Sequence, residues 1–180
     1  MKLSWLKALG GFFLAVLLSM PAWADNKAYP GTLNFIEGQA SIGAQSLSPN
    51  SVGSAGLQAG QTLTTQDGRA EILLTPGVFL RLDDNSAVKM ISPNLTNTQI
   101  ELDHGRAEVE VAQLFKQNNI QVTQDDATTR LTKTGLYDFD TNPDQVRVLK
   151  GEAQVFDGNN FIVSCVKKLG GISCVPEEDL

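Results

Sequence analysis

Residues 68–82 read Gly-Arg-Ala-Glu-Ile-Leu-Leu-Thr-Pro-Gly-Val-Phe-Leu-Arg-Leu, and this stretch decides the fold class. From Arg69 to Thr75 the side chains follow a two-residue rhythm, Pro76-Gly77 supplies a turn, and Val78 to Leu82 resumes the rhythm. A period of two puts alternate side chains on opposite faces of a pleated strand, so the stretch predicts two short strands joined tightly. The same grammar continues outward through Ala87 to Ile91, Gln99 to Leu102, Arg106 to Val111, Leu136 to Asp140, Gln145 to Leu149 and Glu152 to Phe156. Gln66-Asp67-Gly68, Asp83-Asp84-Asn85, His104-Gly105, Asn142-Pro143-Asp144 and Asp157-Gly158-Asn159 separate these runs, each holding a residue suited to turns. Turns recurring about every 8 to 12 residues indicate an all-β sandwich, barrel or solenoid. Only Ala112 to Asn118 reads as a helical turn, and Ala44 to Gly56, rich in Ser, Gly and Asn, reads as a loop.

A pattern of Gly, any residue, Ala, any residue, Ile or Val recurs at Gly38 to Ile42, Gly68 to Ile72, Gly105 to Val109 and Gly151 to Val155. The Gly is read as a tight turn, with Ala and the β-branched residue on one face of the strand that follows. A small residue beside a branched one suits close approach of two layers. The copies are irregularly spaced, which points to a rolled or solenoid-like all-β sheet rather than a strict repeat array.

The first 24 residues read as a cleavable signal peptide. Lys2 and Lys7 precede an apolar run from Ala8 to Leu18, and Ala22-Trp23-Ala24 follows Pro21. That order of basic end, apolar centre and small-x-small exit places cleavage after Ala24. The apolar centre is 11 residues long, whereas a membrane span takes about 20, so no stable anchor is expected after cleavage. Without this segment the 156 remaining residues suit one domain. They carry 12 basic and 20 acidic residues, a net charge of −8. Such a chain lacks the basic stripe that nucleic-acid binding requires. Export also removes Trp5 and Trp23, leaving Tyr29, Tyr137 and six Phe.

An oxidising compartment favours pairing of Cys165 with Cys174. Phe161 to Val166 alternates as a strand, Lys168 to Gly171 holds a Gly-Gly turn signal, and Ile172 to Val175 returns. A loop at 168–171 pairs 167 with 172, 166 with 173 and 165 with 174, predicting a C-terminal disulfide hairpin. Closing so short a loop adds about 2 to 3 kcal/mol in the chain-entropy picture.

Chemistry is sparse. His104, the single histidine, lies in a turn slot that holds Glu37, Asp67 and Lys150 in the other pattern copies, and it has no companion ligands or nucleophile. Asp83-Asp84-Asn85-Ser86 lacks the Gly and Glu spacing of an EF-hand, having Val88 and Leu95 at those places. It reads as a turn, as does Asp125-Asp126. Glu71, Glu101, Glu108 and Glu110 alternate on strands, either lining a groove or forming the outward face of a half-buried sheet. No phosphate loop, serine elbow or zinc helix is present. The sequence therefore assigns no catalytic, cofactor or metal residues.

The order of residues from Leu57 to Phe156 resembles the FecR domain family, named for the ferric citrate regulator of Gram-negative bacteria. Leu57, Gly60, Leu63, Thr65, Gly68-Arg69-Ala70, Ile72, Leu74, Gly77, Leu80 to Leu82, Ser86 and Val88 carry its first half. Ile100, Leu102, Gly105, Val109, Val111, Ile120, Val122, Thr123, Gly135, Tyr137, Phe139, Val146, Val148, Gly151, Ala153 and Val155 carry the second. Leu136 stands where many members have Thr. The family's sensory regulators carry a cytoplasmic sigma-factor-binding segment, a membrane helix and a further periplasmic domain; here the sequence is expected to provide a stand-alone exported module instead. The resemblance implies a general role in protein interaction or sensing. With the signal peptide, the expected partner is an envelope protein met in the periplasm or outside the cell, and with no catalytic constellation in the sequence no enzymatic activity is expected. An envelope glycan-binding or structural role is the alternative, ahead of a hydrolase. The expected division is a signal peptide at 1–24, a strand and loop at 25–56, the FecR-like domain at 57–156, and a hairpin and tail at 157–180.

Overall fold

The computed structural model describes residues 29–158, 160–168 and 171–176. Among them are fourteen strands, one 3-10 turn at Pro49–Ser51 and no α-helix. The strands are β1 (Thr32–Ile42), β2 (Gln45–Ser46), β3 (Thr62–Thr75), β4 (Val78–Leu82), β5 (Ala87–Asn94), β6 (Asn97–His104) and β7 (Arg106–Val111). They continue as β8 (Asn119–Gln124), β9 (Ala127–Leu131), β10 (Gly135–Thr141), β11 (Asp144–Lys150), β12 (Glu152–Asp157), β13 (Asn160–Lys168) and β14 (Gly171–Pro176). All belong to one sheet, ordered β11-β10-β7-β4-β3-β5-β6-β8-β9-β12-β13-β14, with β1 along the other edge of β3 and β2 beside β1.

The chain alternates between two halves of this sheet. β4, β7, β10 and β11 form one half; β5, β6, β8, β9 and β12 to β14 form the other. β3 joins them, because its start pairs with β5 through Thr62 to Thr64 and its end with β4 through Ala70 to Thr75. Neighbours are antiparallel except β6 and β8, which run parallel because β7 intervenes in the other half. The result is an open, curled sheet. Leu80, Val109, Tyr137 and Phe139 from one half and Met90, Ile100, Leu102 and Val122 from the other share a single buried cluster. The all-β, rolled expectation holds.

The repeated Gly-x-Ala pattern marks the places where the chain crosses from one half to the other. Gly105 separates β6 from β7, Gly151 separates β11 from β12, and Gly68 lies where β3 changes partners. Gly38 is the Cα partner of Gly68 between register shifts in β1. A Cβ on Gly68 would lie 2.3 Å from the Glu37 carbonyl oxygen and 2.6 Å from the Gln39 nitrogen. Only hydrogen allows the backbones to cross so closely. Ala40, Ala70, Ala107 and Ala153 are all buried, as are Ile42, Ile72 and Val109, whereas Val155 is half-buried.

Three local expectations change. Gln66-Asp67-Gly68 is not a turn: β3 runs through it, because pairing with β1 across Gly38–Gly68 keeps the backbone extended. Ala112 to Asn118 forms no helix but an open link, closed by Asn118 N–H donating to the Phe115 carbonyl at 2.9 Å. The Ala112 and Gln113 N–H groups donate to the Gly77 carbonyl and the Phe115 N–H to the Asn118 side-chain oxygen, so these donors are not available to a helical ladder. The segment Asn119 to Leu131, not singled out as strand by periodicity, forms the β8–β9 hairpin, with Asp125 at φ 46 in its turn.

At the C-terminus β13 and β14 pair Lys167 with Ile172, Val166 with Ser173 and Cys165 with Cys174, the expected register, and continue to Lys168 with Gly171. The Cys174 side chain lies outside the described residues, as do Ala22, Ala24 and the rest of the first 28 residues, so the disulfide and the cleavage site remain expectations of the sequence.

Tyr137, with no exposed surface, ties three segments together. Its hydroxyl donates to the Lys133 carbonyl at 2.6 Å and accepts the Glu152 N–H at 3.1 Å. Burial raises the phenol above its usual pKa of 10.0.

Two predictions follow from this packing. Gly68→Ala should cost about 2 to 3 kcal/mol, because the β1 backbone from Glu37 to Gln39 must move. Gly43→Ala, at φ 55 with open space around it, should cost only about 1 kcal/mol for backbone strain. Urea unfolding of both variants measures the difference, and equal losses would refute close packing at the crossing. Tyr137→Phe should cost about 1 to 2 kcal/mol by leaving two buried backbone groups unmet. It should also reduce the alkaline loss of stability: a phenol with a raised pKa stabilises fully below pH 10 and loses this contribution as pH rises past its folded value.

Candidate functional site

Strand alternation that sends Leu80 and Leu82 into the core sends Arg81 to the outer face. The registers then align one rung of side chains across six strands. Phe35 opposes Glu71, Glu71 opposes Arg81, Arg81 opposes Glu108, Glu108 opposes Asp138, and Asp138 opposes Arg147. Directly opposed side chains in antiparallel strands are close enough for ion pairing.

Arg81 is the hub of one part. Its Nε donates to Glu71 Oε2 at 2.8 Å, Nη1 to Glu108 Oε1 at 2.8 Å and Nη2 to Glu110 Oε2 at 2.5 Å. Glu71 Oε1 accepts from the Asn34 amide. The Glu110 bond is the main reason the guanidinium is held above its usual pKa, with burial opposing and Glu108 and Glu71 adding to the rise. Arg81 is 43% exposed, so each pair contributes little to stability in water. Their geometric effect is larger, because a planar fork fixes three carboxylates in place.

Asp138 is the hub of the other part, and only 1% of it is exposed. Arg106 Nε donates to Oδ1 at 2.7 Å, and Arg147 Nε donates to Oδ2 at 2.6 Å. The bond to Asp138 is the chief cause of a raised pKa at Arg106. A buried carboxylate is tolerated here because both oxygens meet cations, and with Arg106 50% and Arg147 37% exposed, solvent screens each pair.

An open cavity of about 400 Å³ lies on this face, lined by Phe35, Arg69, Glu71, Arg81, Arg106 and Glu108 among others. Phe35 leaves 48% of its surface exposed beside it. Fixed charges next to an exposed ring form a surface suited to recognition.

The other residues singled out by sequence fall elsewhere. Glu101 is on β6 and pairs with Lys89 at 3.8 Å, so the four glutamates do not share one groove. His104 is exposed at the end of β6, opposite Ala87. In the Asp83 to Ser86 turn, Asn85 has φ 46 and the Ser86 hydroxyl donates to the Asp84 carbonyl at 2.8 Å. Among the described residues no three His, Cys, Asp or Glu are grouped to hold a metal, and no helix is long and apolar enough to cross a membrane. Arg81, Asp138 and Arg147 escaped sequence reasoning as a set. Their alternation was visible, but the partners come from strands whose adjacency requires the sheet order.

Among curated proteins no relative matches the chain. Two crystal structures described as a candidate anti-sigma factor from Parabacteroides distasonis ATCC 8503 are similar. The first, at 2.50 Å, is 15% identical, with 64% of this chain and 59% of that one covered and a TM-score of 0.46. The second, at 1.65 Å, is 14% identical, with 66% and 60% covered and a TM-score of 0.48. The chain thus spans about three-fifths of the length of these proteins. The family described as FecR protein matches residues 61–159, which begins four residues later and ends three later than the resemblance read from sequence. With more than half of its residues inside that match, the chain belongs to the FecR protein family.

Proposed function

We propose that the protein is a non-enzymatic sensing module of the bacterial cell envelope, and that it binds a protein partner through the outer face of β3, β4, β7 and β10. Membership of a regulatory family supports sensing over catalysis. The observation that carries the binding face is Arg81 held by three glutamates beside an exposed phenylalanine. All three carboxylates are committed to the one guanidinium. The same bonds preorganise charge, which reduces the ordering cost of association.

The signal peptide motivates the location. Cleavage after Ala24 delivers the module to the periplasm or the outside, where Cys165 and Cys174, opposite each other in β13 and β14, meet oxidising conditions. The partner is expected to be another envelope protein.

Intact-mass analysis of the chain recovered from a Gram-negative envelope fraction tests location and bridge together. The mass should correspond to a chain starting at Asp25, with thiol alkylation only after reduction. A chain retaining Met1, or one alkylated without reductant, would refute the corresponding half of the reading. For the binding face, cross-linking in the envelope followed by capture should recover a protein with the wild type. Arg81→Gln should recover much less while keeping the circular dichroism spectrum. Equal recovery by both would remove this face from the account, and retention on polysaccharide resin without any captured protein would favour a glycan ligand.

A further inference from the structure

The strand order brings three chain crossings side by side at one end of the rolled sheet, and each crossing carries a lysine. Lys116 lies between β7 and β8, Lys133 lies between β9 and β10, and β11 passes into β12 at Lys150-Gly151. β7, β10 and β11 are consecutive neighbours in one half, as β8, β9 and β12 are in the other, so the crossings follow one another across that end. All three lysines are exposed, and among the described residues none makes an ion pair.

The same end leaves apolar side chains in water. Phe115 directly precedes Lys116, Leu149 directly precedes Lys150, and both are exposed. Leu95, also exposed, is in the β5–β6 turn, which the Asn118 amide ties to the first crossing by donating to the Leu95 carbonyl at 2.6 Å.

Charge is divided between the two ends of the sheet. β13 finishes at the lysine end, because Val166 is opposite Glu152. Within the crossings and two residues of the adjoining strand ends, Lys116, Arg130, Lys133, Lys150, Lys167 and Lys168 stand against Glu110 and Glu152, an excess of four positive charges among the described residues. Glu110 is bonded to Arg81, and Glu152 accepts the Thr132 hydroxyl at 3.3 Å. Nine of the ten aspartates among the described residues, all but Asp138, lie at the opposite end, in turns such as Asp83-Asp84 and Asp125-Asp126 or beside Gly68. β10 runs from one end to the other in seven residues, a span of about 20 Å. That is roughly twice the screening length of about 10 Å at 0.1 M salt. The lysine end is therefore electropositive at short range although the whole chain is acidic.

An anionic bilayer supplies both parts of this chemistry in layers. Its phosphates meet ammonium groups, and the hydrocarbon just beneath them takes side chains such as Phe and Leu. We propose that the end bearing Lys116, Lys133 and Lys150 docks on an anionic phospholipid surface, with Phe115, Leu95 and Leu149 entering the interface and the aspartate end turned away. This docking is independent of partner binding by the Arg81 face.

Co-sedimentation of the full chain, purified after export, with vesicles tests the proposal. One set is phosphatidylcholine alone, and the other contains about one-third phosphatidylglycerol. At about 0.05 M salt the anionic vesicles should bind the chain at least about tenfold more tightly, and about 0.5 M salt should erase most of the difference. The triple variant Lys116→Gln, Lys133→Gln, Lys150→Gln should lose at least about tenfold in affinity while keeping the circular dichroism spectrum. A second measurement places a tryptophan at either end. Emission from Phe115→Trp should shift to the blue and be quenched by brominated lipid, and emission from Asp126→Trp should do neither. No binding to anionic vesicles, equal binding to both vesicle types, or undiminished binding by the triple variant would overturn the proposal. Quenching at position 126 without quenching at 115 would overturn the orientation, and lysine-dependent binding that leaves position 115 unquenched would overturn the apolar entry.

Discussion

The backbones of β1 and β3 cross at Gly38 and Gly68 with no room for a side chain between them, and the rolled sheet depends on that contact. Crossing there lets one strand serve both halves: β3 pairs with β5 before Gly68 and with β4 after it. Each later passage between halves repeats the problem, and Gly105 and Gly151 occupy two of those passages. At Gly151 the constraint is joined to the core, because an added Cβ would lie 2.2 Å from the Tyr137 hydroxyl that binds the neighbouring backbone. The buried alanine two residues later keeps the entering strand close to the opposite half. A sheet folded in this way hides one face in a common core and turns the other outward.

The outward face inherits its order from the same geometry. Because the chain leaves and re-enters each half, β3, β4, β7, β10 and β11 are neighbours although the intervening sequence lies in the other half. Residues separated widely along the chain, such as Glu71, Arg81, Glu108, Asp138 and Arg147, thereby fall on one rung. Two like charges, Glu108 and Asp138, are directly opposed on that rung. They coexist because Arg81 takes one and Arg106 with Arg147 takes the other. The charge arrangement is thus a property of strand order rather than of any local motif.

That distinction explains what could be read from sequence. Strands with clean alternation and Gly or Pro at their ends, such as β4, β7 and β12, were legible, and so was the hairpin register that opposes Cys165 and Cys174. The β8–β9 hairpin was not, since Thr128, Thr129 and Arg130 blur the apolar rhythm while Thr129 is fully buried. Nor was continuity of β3 through Gln66-Asp67-Gly68, where turn-forming residues stay extended because a second glycine lies opposite. Of the candidate site, the outward placement of Glu108 and Glu110 was visible in their alternation. Their convergence on Arg81 was not, because local pattern carries no information about which distant strand becomes a neighbour.

The central claim is that this charged outer face, and not a sheet edge or the opposite half, meets the partner. Site-specific photo-cross-linking in the envelope tests it most directly, with the photoreactive residue placed in turn at Phe35 and at the similarly exposed Ile91 on β5. A protein adduct from Phe35 and none from Ile91 is the predicted result. An adduct from Ile91 with none from Phe35 would contradict the account.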